Sequence, residues 1–224
     1  MPTTHPPTVF IIDNDVPLRA SLRFLLESAD LHCEEFDSAE DFLATFDPER
    51  VGCLILDVRL PGMSGVSLQQ ELTHHDHRLP VIVTTGFADV GTAVAMLKRG
   101  AFDFFEKPFS DQQLLERVQA AMAFDASRRR AREQRAALSA RIARLTAREH
   151  EVFQEVVHGK ANKVVAIEFG ISEKTVEVHR ARVMQKLGAG SLAELVRMDL
   201  LTQSPTDSLL LRVARAEPVT GRAA

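Results

Sequence analysis

Five short β-type stretches, each followed by a stretch of helical periodicity, constrain what the first half of this chain can fold into. Thr8-Val-Phe-Ile-Ile12, Val51 to Leu56 and Pro80-Val-Ile-Val-Thr84 are nearly continuous apolar runs, the pattern of strands buried on both faces of a parallel sheet. Leu31 to Phe36 and Phe102 to Phe105 are weaker strands of the same kind. Helices are predicted at 16–28, 39–46, 65–75 and 89–99, with another beginning near Asp111. Ser38-Ala-Glu-Asp41 and Ser110-Asp-Gln-Gln113 supply start signals, the second with capping-box spacing. Five such repeats imply a doubly wound α/β sheet of five parallel strands with right-handed crossovers. On such sheets ligands sit beyond the carboxyl ends of the strands.

After Phe109 the punctuation changes, with no Gly or Pro before His158. The Ala/Arg-rich stretch 126–145 therefore has no breaker. It is either a linker or a continuation of the preceding helix, and propensity favours helix. Leu138, Ile142 and Leu145 fall at helical spacing, so one face can pack. From Thr146 the pattern is all helical, in short pieces with marked ends. Thr146-Ala-Arg-Glu149 is a capping box and Gly159 ends that helix. Ala161 to Phe169 is closed by Gly170. Ser172 caps a third helix that reaches Leu187 before Gly188, and Ser191-Leu-Ala-Glu194 opens a fourth to about Leu201. The expected organisation is a loose start at 1–7, an α/β domain at 8–123, a helical connection at 124–144, an all-α four-helix domain at 145–201 and a loose tail at 202–224.

Charge is divided as sharply as structure. Residues 1–125 hold 9 basic and 20 acidic side chains, net −11, whereas 126–140 carry +4 and 141–224 carry +3. Two halves of opposite sign imply different partners for each. The apolar runs are strand-sized, too short to span a bilayer, and Met1 to Thr8 has neither a basic start nor an apolar stretch. A cytoplasmic protein without membrane association is expected. Cys33 and Cys53 form no disulfide framework or metal-ligand spacing, and Cys53, inside an apolar run, reads as a buried reduced thiol. His74, His75 and His77 read as solvated residues at a helix end, since three in four neighbours cannot all face one ion.

The strand ends carry the chemistry. Asp13 and Asn14 follow the first strand, Asp57 the third, Thr85 the fourth and Lys107 the fifth, so the topology gathers them although they span nearly the whole domain. Clustered carboxylates need a cation or proton. Oxygen ligands with room for water suit Mg2+. A carboxylate beside them can attack a phosphoryl group to give an aspartyl-phosphate, a reaction that needs mainly positioning and charge neutralisation. The Thr85 hydroxyl can donate a hydrogen bond to the new phosphate.

Ile11-Ile-Asp-Asn-Asp15, Leu54-Ile-Leu-Asp-Val-Arg-Leu-Pro-Gly-Met-Ser-Gly65, Pro80-Val-Ile-Val-Thr-Thr-Gly86 and Phe105-Glu-Lys-Pro-Phe109 resemble the receiver domain of two-component response regulators, a flavodoxin-like (CheY-like) fold, over residues 8–123. The resemblance implies that Asp57 is the phosphoacceptor, Lys107 the phosphate-contacting cation, Thr85 the switch hydroxyl and Phe104 the switch aromatic. It also implies a Mg2+ site made by Asp13, Asn14, Asp57 and the backbone carbonyl of Arg59. One departure matters: the family has two adjacent acids after the first strand, and Asn14 stands where the second belongs. A neutral ligand there predicts weakened Mg2+ binding, while Asp15 lies one place further on.

Residues 161–187 have helix-turn-helix spacing. In the longer helix Val176, Val183 and Leu187, with His179 or Met184, face a core. Lys174, Thr175, Glu177, Val178, Arg180, Ala181 and Arg182 then face outward. Such a helix enters the major groove, where Lys174, Arg180 and Arg182 suit phosphate or guanine and Val178 and Ala181 suit thymine methyls. Lys163 is placed for phosphate. Leu145-Thr-Ala-Arg-Glu149, Asn162-Lys-Val-Val-Ala166 and Ile171-Ser-Glu-Lys-Thr-Val-Glu-Val-His-Arg180 are similar to the LuxR/NarL-type DNA-binding domain, in its FixJ-type branch, over 143–200. That resemblance implies dimerisation through the last helix at Leu192, Leu195 and Val196. Glu177 occupies a place where the family often has a base-contacting lysine.

Together these readings predict a transcriptional regulator that takes phosphate on Asp57 from a histidine kinase and binds double-stranded DNA as a dimer, with RNA polymerase a further partner. The alternative is a transcription factor whose first domain is a phosphorylation-independent dimerisation platform. An aspartyl-phosphate hydrolase needs a general acid beside the nucleophile, commonly two residues on, and Arg59 stands there. Beyond its own phosphoryl transfer and dephosphorylation, the chain is not expected to be an enzyme.

Overall fold

A computed structural model of the chain describes residues 6–74, 79–86 and 90–203. Its elements run β1 (Thr8–Ile12), α1 (Val16–Ser28), β2 (His32–Phe36), α2 (Ala39–Thr45), β3 (Gly52–Asp57), α3 (Gly65–His74), β4 (Val81–Thr85), α4 (Val90–Lys98), β5 (Asp103–Glu106), α5 (Asp111–Ile142), α6 (Ala147–Val157), α7 (Asn162–Phe169), α8 (Glu173–Leu187) and α9 (Leu192–Gln203). The chain divides into two compact units between Arg128 and Arg129, inside α5. His75 and His77, and nearly all of the expected loose tail, lie outside the described residues.

In the first unit the strands form one parallel sheet in the order β2-β1-β3-β4-β5. Alternation sorts their side chains into two cores. Phe10, Ile12, Leu54, Leu56, Val81 and Val83 join Phe42 of α2, Leu68 and Leu72 of α3 and Met96 of α4 on one face. Val9, Ile11, Cys53, Ile55 and Ile82 join Leu22 and Leu26 of α1 and Leu114, Val118, Ala121 and Phe124 of α5 on the other. Helices on both faces are why the central strands β1 and β3 carry one polar residue each, Thr8 and Asp57. Truncating one of these fully buried leucines to alanine costs roughly 2–5 kcal/mol.

Two strands extend one residue further than their apolar runs. Asp57 and Thr85 are the last residues of β3 and β4, not the first residues after them, because pairing continues through Asp57 to Thr84 and through Thr85 to Glu106. The carboxyl end of the sheet, where the strands leave the core, tolerates polar side chains there. Buried Asp125 of α5 accepts a hydrogen bond from the Gly52 amide at 3.1 Å and another from Arg128 at 3.3 Å, tying the start of β3 to this helix. Cys53 is a free, buried thiol, and burial drives its pKa far above the ordinary range.

The second unit is helical around Val152, Phe153, Val156, Val165, Ala166, Val176, Val183, Leu187 and Leu195. Thr146 Oγ1 accepts from the Glu149 amide and Glu149 returns a carboxylate to the Thr146 amide, a complete capping box. Glu149 also accepts from Lys186 at 2.5 Å, which locks α6 to α8. That hydrogen bond, then those at the cap, hold the Glu149 pKa down at about 2. Gly170 ends α7 with φ 65°, the left-handed conformation that glycine adopts without steric cost.

Candidate functional sites

The first site lies where β1, β3 and β5 end. Asp13 is 1% exposed and Asp57 5%, and the Lys107 ammonium bridges them, donating to Asp13 Oδ2 at 2.6 Å and to Asp57 Oδ1 at 3.1 Å. The remaining oxygens meet backbone donors: Asp15 N–H to Asp13 Oδ1 at 2.9 Å and Arg59 N–H to Asp57 Oδ2 at 3.1 Å. The Arg19 guanidinium donates to the Asp13 carbonyl. The Lys107 amide donates to the Thr85 carbonyl at 2.7 Å, which aligns β5 with the end of β4. Gly65, at the start of α3, passes so close that a Cβ there would stand 2.1 Å from the Asp57 carbonyl oxygen; only glycine lets this helix approach.

Burial raises the Asp57 pKa, Lys107 pulls it back, and Asp13 adds to the rise, leaving it above the ordinary value. Burial works against the Lys107 charge, but Asp13 and then Asp57 outweigh it and raise that pKa. On balance the site favours the Lys107 charge and disfavours that of Asp57.

Thr85 is buried at the end of β4, and Phe104 packs half-buried against the core of the α2–α3–α4 face. Asn14 is exposed. Asp15 serves α1 as N-cap, accepting from Leu18 N–H at 3.1 Å. The donors that the sequence assigns to a metal, the carboxylates of Asp13 and Asp57, the Arg59 carbonyl and the Asn14 carboxamide, are all oxygens, the chemistry that suits a hard divalent cation keeping several waters. Thr84 was not among the expected residues. It is 1% exposed, pairs in register with Asp57, and its hydroxyl has no hydrogen-bond partner among the described residues.

The second site is α7, the turn and α8. Ser172 Oγ accepts from the Thr175 amide at 3.1 Å to start α8. Val176, Val183 and Leu187 are buried, whereas Lys174, Thr175, Glu177, Val178, Ala181 and Arg182 are exposed, as is Lys163 on α7. Arg180 is half-buried and donates to Asn162 Oδ1 at 3.1 Å. Lys163, Lys174, Arg180 and Arg182 have no carboxylate partner among the described residues. By contrast Lys160, Lys186, Arg148 and Arg197 are all ion-paired. Four cations without a carboxylate partner therefore lie on α7 and α8, where polyanion contact would release counterions.

The expected dimer face needs one correction. Leu195 is 0% exposed, inside the unit's own core, so it has no surface to offer a second copy. Leu192 at 38%, half-buried Val196 and Leu200 at 57% follow one another at i, i+4 and i+8 and form the outward stripe of α9. Leu200 went unnoticed in sequence because it lies near the end of that helix. Among the described residues no helix is long and apolar enough to cross a membrane.

Residues 9–119 match the response regulator receiver domain family and residues 143–199 match bacterial regulatory proteins of the luxR family. The chain is 46% identical over 201 residues to the transcriptional regulatory protein FixJ of Azorhizobium caulinodans, covering 90% of this chain and 94% of that one. It is 45% identical over 193 residues to the C4-dicarboxylate transport transcriptional regulatory protein DctR of Rhodobacter capsulatus, covering 85% and 98%. The solved structure of the response regulator StyR superposes with a TM-score of 0.77 at 44% identity, covering 87% of this chain and 98% of that one. The two units are thus a receiver domain and a LuxR-type helix-turn-helix, and the chain belongs to the two-component response regulators that act as transcriptional regulators.

Proposed function

We propose that a sensor histidine kinase phosphorylates Asp57 and that this phosphate controls how the α7–α8 surface engages DNA as a dimer. The observation that carries this reading is the Lys107 ammonium held between two buried carboxylates, at 2.6 and 3.1 Å. Asp57 Oδ attacks the phosphorus, the phosphorus–nitrogen bond to the kinase imidazole breaks, and the electron pair leaves with that imidazole. Lys107 offsets the added negative charge. Arg59 N–H holds the other carboxylate oxygen, and the Thr85 hydroxyl donates to the phosphate, drawing Phe104 with it. Asp13, Asp57, the Arg59 carbonyl and, more weakly, Asn14 would hold Mg2+, whose charge neutralises phosphoryl oxygens. The Leu192–Val196–Leu200 stripe pairs two copies, so that two α8 helices meet a two-fold site.

The test is labelling of the full chain by a small phosphodonor with and without Mg2+. The wild type should take up one phosphate per chain only with Mg2+, and Asp57→Asn should take up none. Label on another residue would refute the assignment. The neutral, exposed Asn14 favours a second reading, a receiver that works only as a dimerisation platform. No uptake by the wild type, with an unchanged oligomeric state, would decide for it.

A further inference from the structure

Arg180 lies midway along α8, and its Nη1 donates to Asn162 Oδ1 at 3.1 Å. Asn162 is the first residue of α7, so this bond joins the two helices of the helix-turn-helix. Elsewhere in the unit several cations are fastened by acids: Lys186 by Glu149 at 2.5 Å, Arg148 by Glu151 at 2.6 Å, and Lys160 by Glu155 and Glu168 at 2.6 and 2.8 Å. Arg180 is instead held by a neutral carboxamide. A carboxylate in that place would fix the guanidinium and cancel its charge. Asparagine fixes it and leaves the charge whole, with the guanidinium's other N–H donors uncommitted to Asn162.

We propose that Asn162 is a positioning residue for DNA binding, orienting the Arg180 guanidinium toward a backbone phosphate without neutralising it. This rests on the reading of α7 and α8 as the DNA-binding surface and adds a residue that acts through another. Arg180 is tied to the start of α7, the helix that crosses the backbone while α8 enters the groove, so a phosphate is its partner rather than a base. Pre-setting a long side chain removes part of the rotamer entropy that DNA binding would otherwise cost. Phosphate contacts position the protein and carry no sequence information, so the contribution is to affinity and register.

Because such contacts are independent of sequence, a random duplex of about 30 base pairs is a sufficient probe. Affinity is measured by fluorescence anisotropy across a salt series for the full chain, Arg180→Ala, Asn162→Ala, their double variant and Asn162→Asp, each with a thermal melt. Arg180→Ala should bind roughly tenfold more weakly and lose about one unit of salt slope. Asn162→Ala should lose several-fold, and the double variant no more than Arg180→Ala alone. Asn162→Asp should melt no lower than the wild type yet bind more weakly than Asn162→Ala. A merely structural tie predicts a lower melt for Asn162→Ala and wild-type binding by Asn162→Asp, which keeps the tie. Additive losses, or an unchanged slope for Arg180→Ala, overturn the inference while leaving DNA binding intact; a wild type that fails to bind the duplex overturns both.

Discussion

Lys107 shows how much one side chain decides in the receiver. Without it, the Asp13 and Asp57 carboxylates, 1% and 5% exposed, would lose the ammonium that pairs with both. Removing one partner of a buried ionic group leaves uncompensated charge, which costs about 3–5 kcal/mol. Lys107→Met should therefore destabilise the receiver by about 3 kcal/mol at neutral pH. The deficit should shrink as pH falls, because protonating the carboxylates removes the repulsion. Urea unfolding at neutral and acidic pH reads both effects, and a deficit independent of pH would contradict the cause given. The wild type has its own pH dependence. The raised Lys107 pKa means that its contribution is complete below 10.5 and lost as pH climbs through the higher folded value. The raised Asp57 pKa means that its contribution is present below the ordinary carboxylate value and lost as pH rises through the folded one. Thr84 makes the opposite case. Its buried hydroxyl has no hydrogen-bond partner among the described residues, so the desolvation of that group is uncompensated there. Thr84→Val should leave stability unchanged or raise it by up to about 1 kcal/mol, seen as an unchanged or higher urea midpoint. A clear loss would reveal a bond that this conformation does not make.

Elements are held by their ends as much as by their faces. α6 begins at a capping box whose acid also accepts from Lys186 on α8, so Glu149 joins two helices through one carboxylate. Its pKa, held at about 2, lies below the ordinary 4.5. A depressed carboxylate contributes stability that is fully present above its unfolded value and lost as pH falls through the folded one. The DNA-binding unit should therefore weaken between about pH 4.5 and 2, with Glu149→Gln already weakened at neutral pH and flatter across that window. Circular dichroism melts would check this; parallel pH profiles for the two would remove Glu149 from the account. The capping box was legible in sequence because cap, acid and apolar run lie within a few residues of each other. So were the strands, whose double-sided burial writes itself as continuous apolar runs, and the gathering of Asp13, Asp57 and Lys107, which follows from strand ends alone. Side-chain partners across elements were not. Nothing in local pattern pairs Asn162 with Arg180, Asp125 with the Gly52 amide or Lys186 with Glu149, because each depends on how separate helices or strands dock. For the same reason Leu195 could not be told from its neighbours: the apolar stripe on α9 has an inner and an outer edge, and only packing distinguishes them.

For the whole molecule, the proposed function raises the question of how a phosphate on Asp57 would be felt by α8. α5 is a single helix of 32 residues, about 48 Å long at 1.5 Å per residue. Its first half is anchored in the receiver core through Leu114, Val118, Ala121 and Phe124, with Asp125 fastened to β3. Leu138 is buried and Ile142 packs on the core of the helical unit. From Arg129 to Ala137 no residue is buried, and Arg135 donates to the Thr202 carbonyl of α9 at 2.6 Å, so this stretch stays helical without a core of its own. Coupling between two sites requires an element whose equilibrium both of them bias, and a continuous helix rooted in both cores qualifies. Glu133 is exposed at the centre of that stretch, and proline there would remove one main-chain hydrogen bond and clash with the preceding turn, costing the helix about 3 kcal/mol. Neither core contains Glu133, so both units should still fold. Glu133→Pro should therefore take up phosphate on Asp57 at the wild-type rate and bind DNA with the basal affinity. It should lose the change in DNA affinity that the proposed phosphorylation would produce in the wild type. Phosphodonor labelling and anisotropy on the same preparation measure both. If the phosphate response survives the break, the signal passes through surfaces that the two units present to each other or to a second copy, and α5 is only a tether.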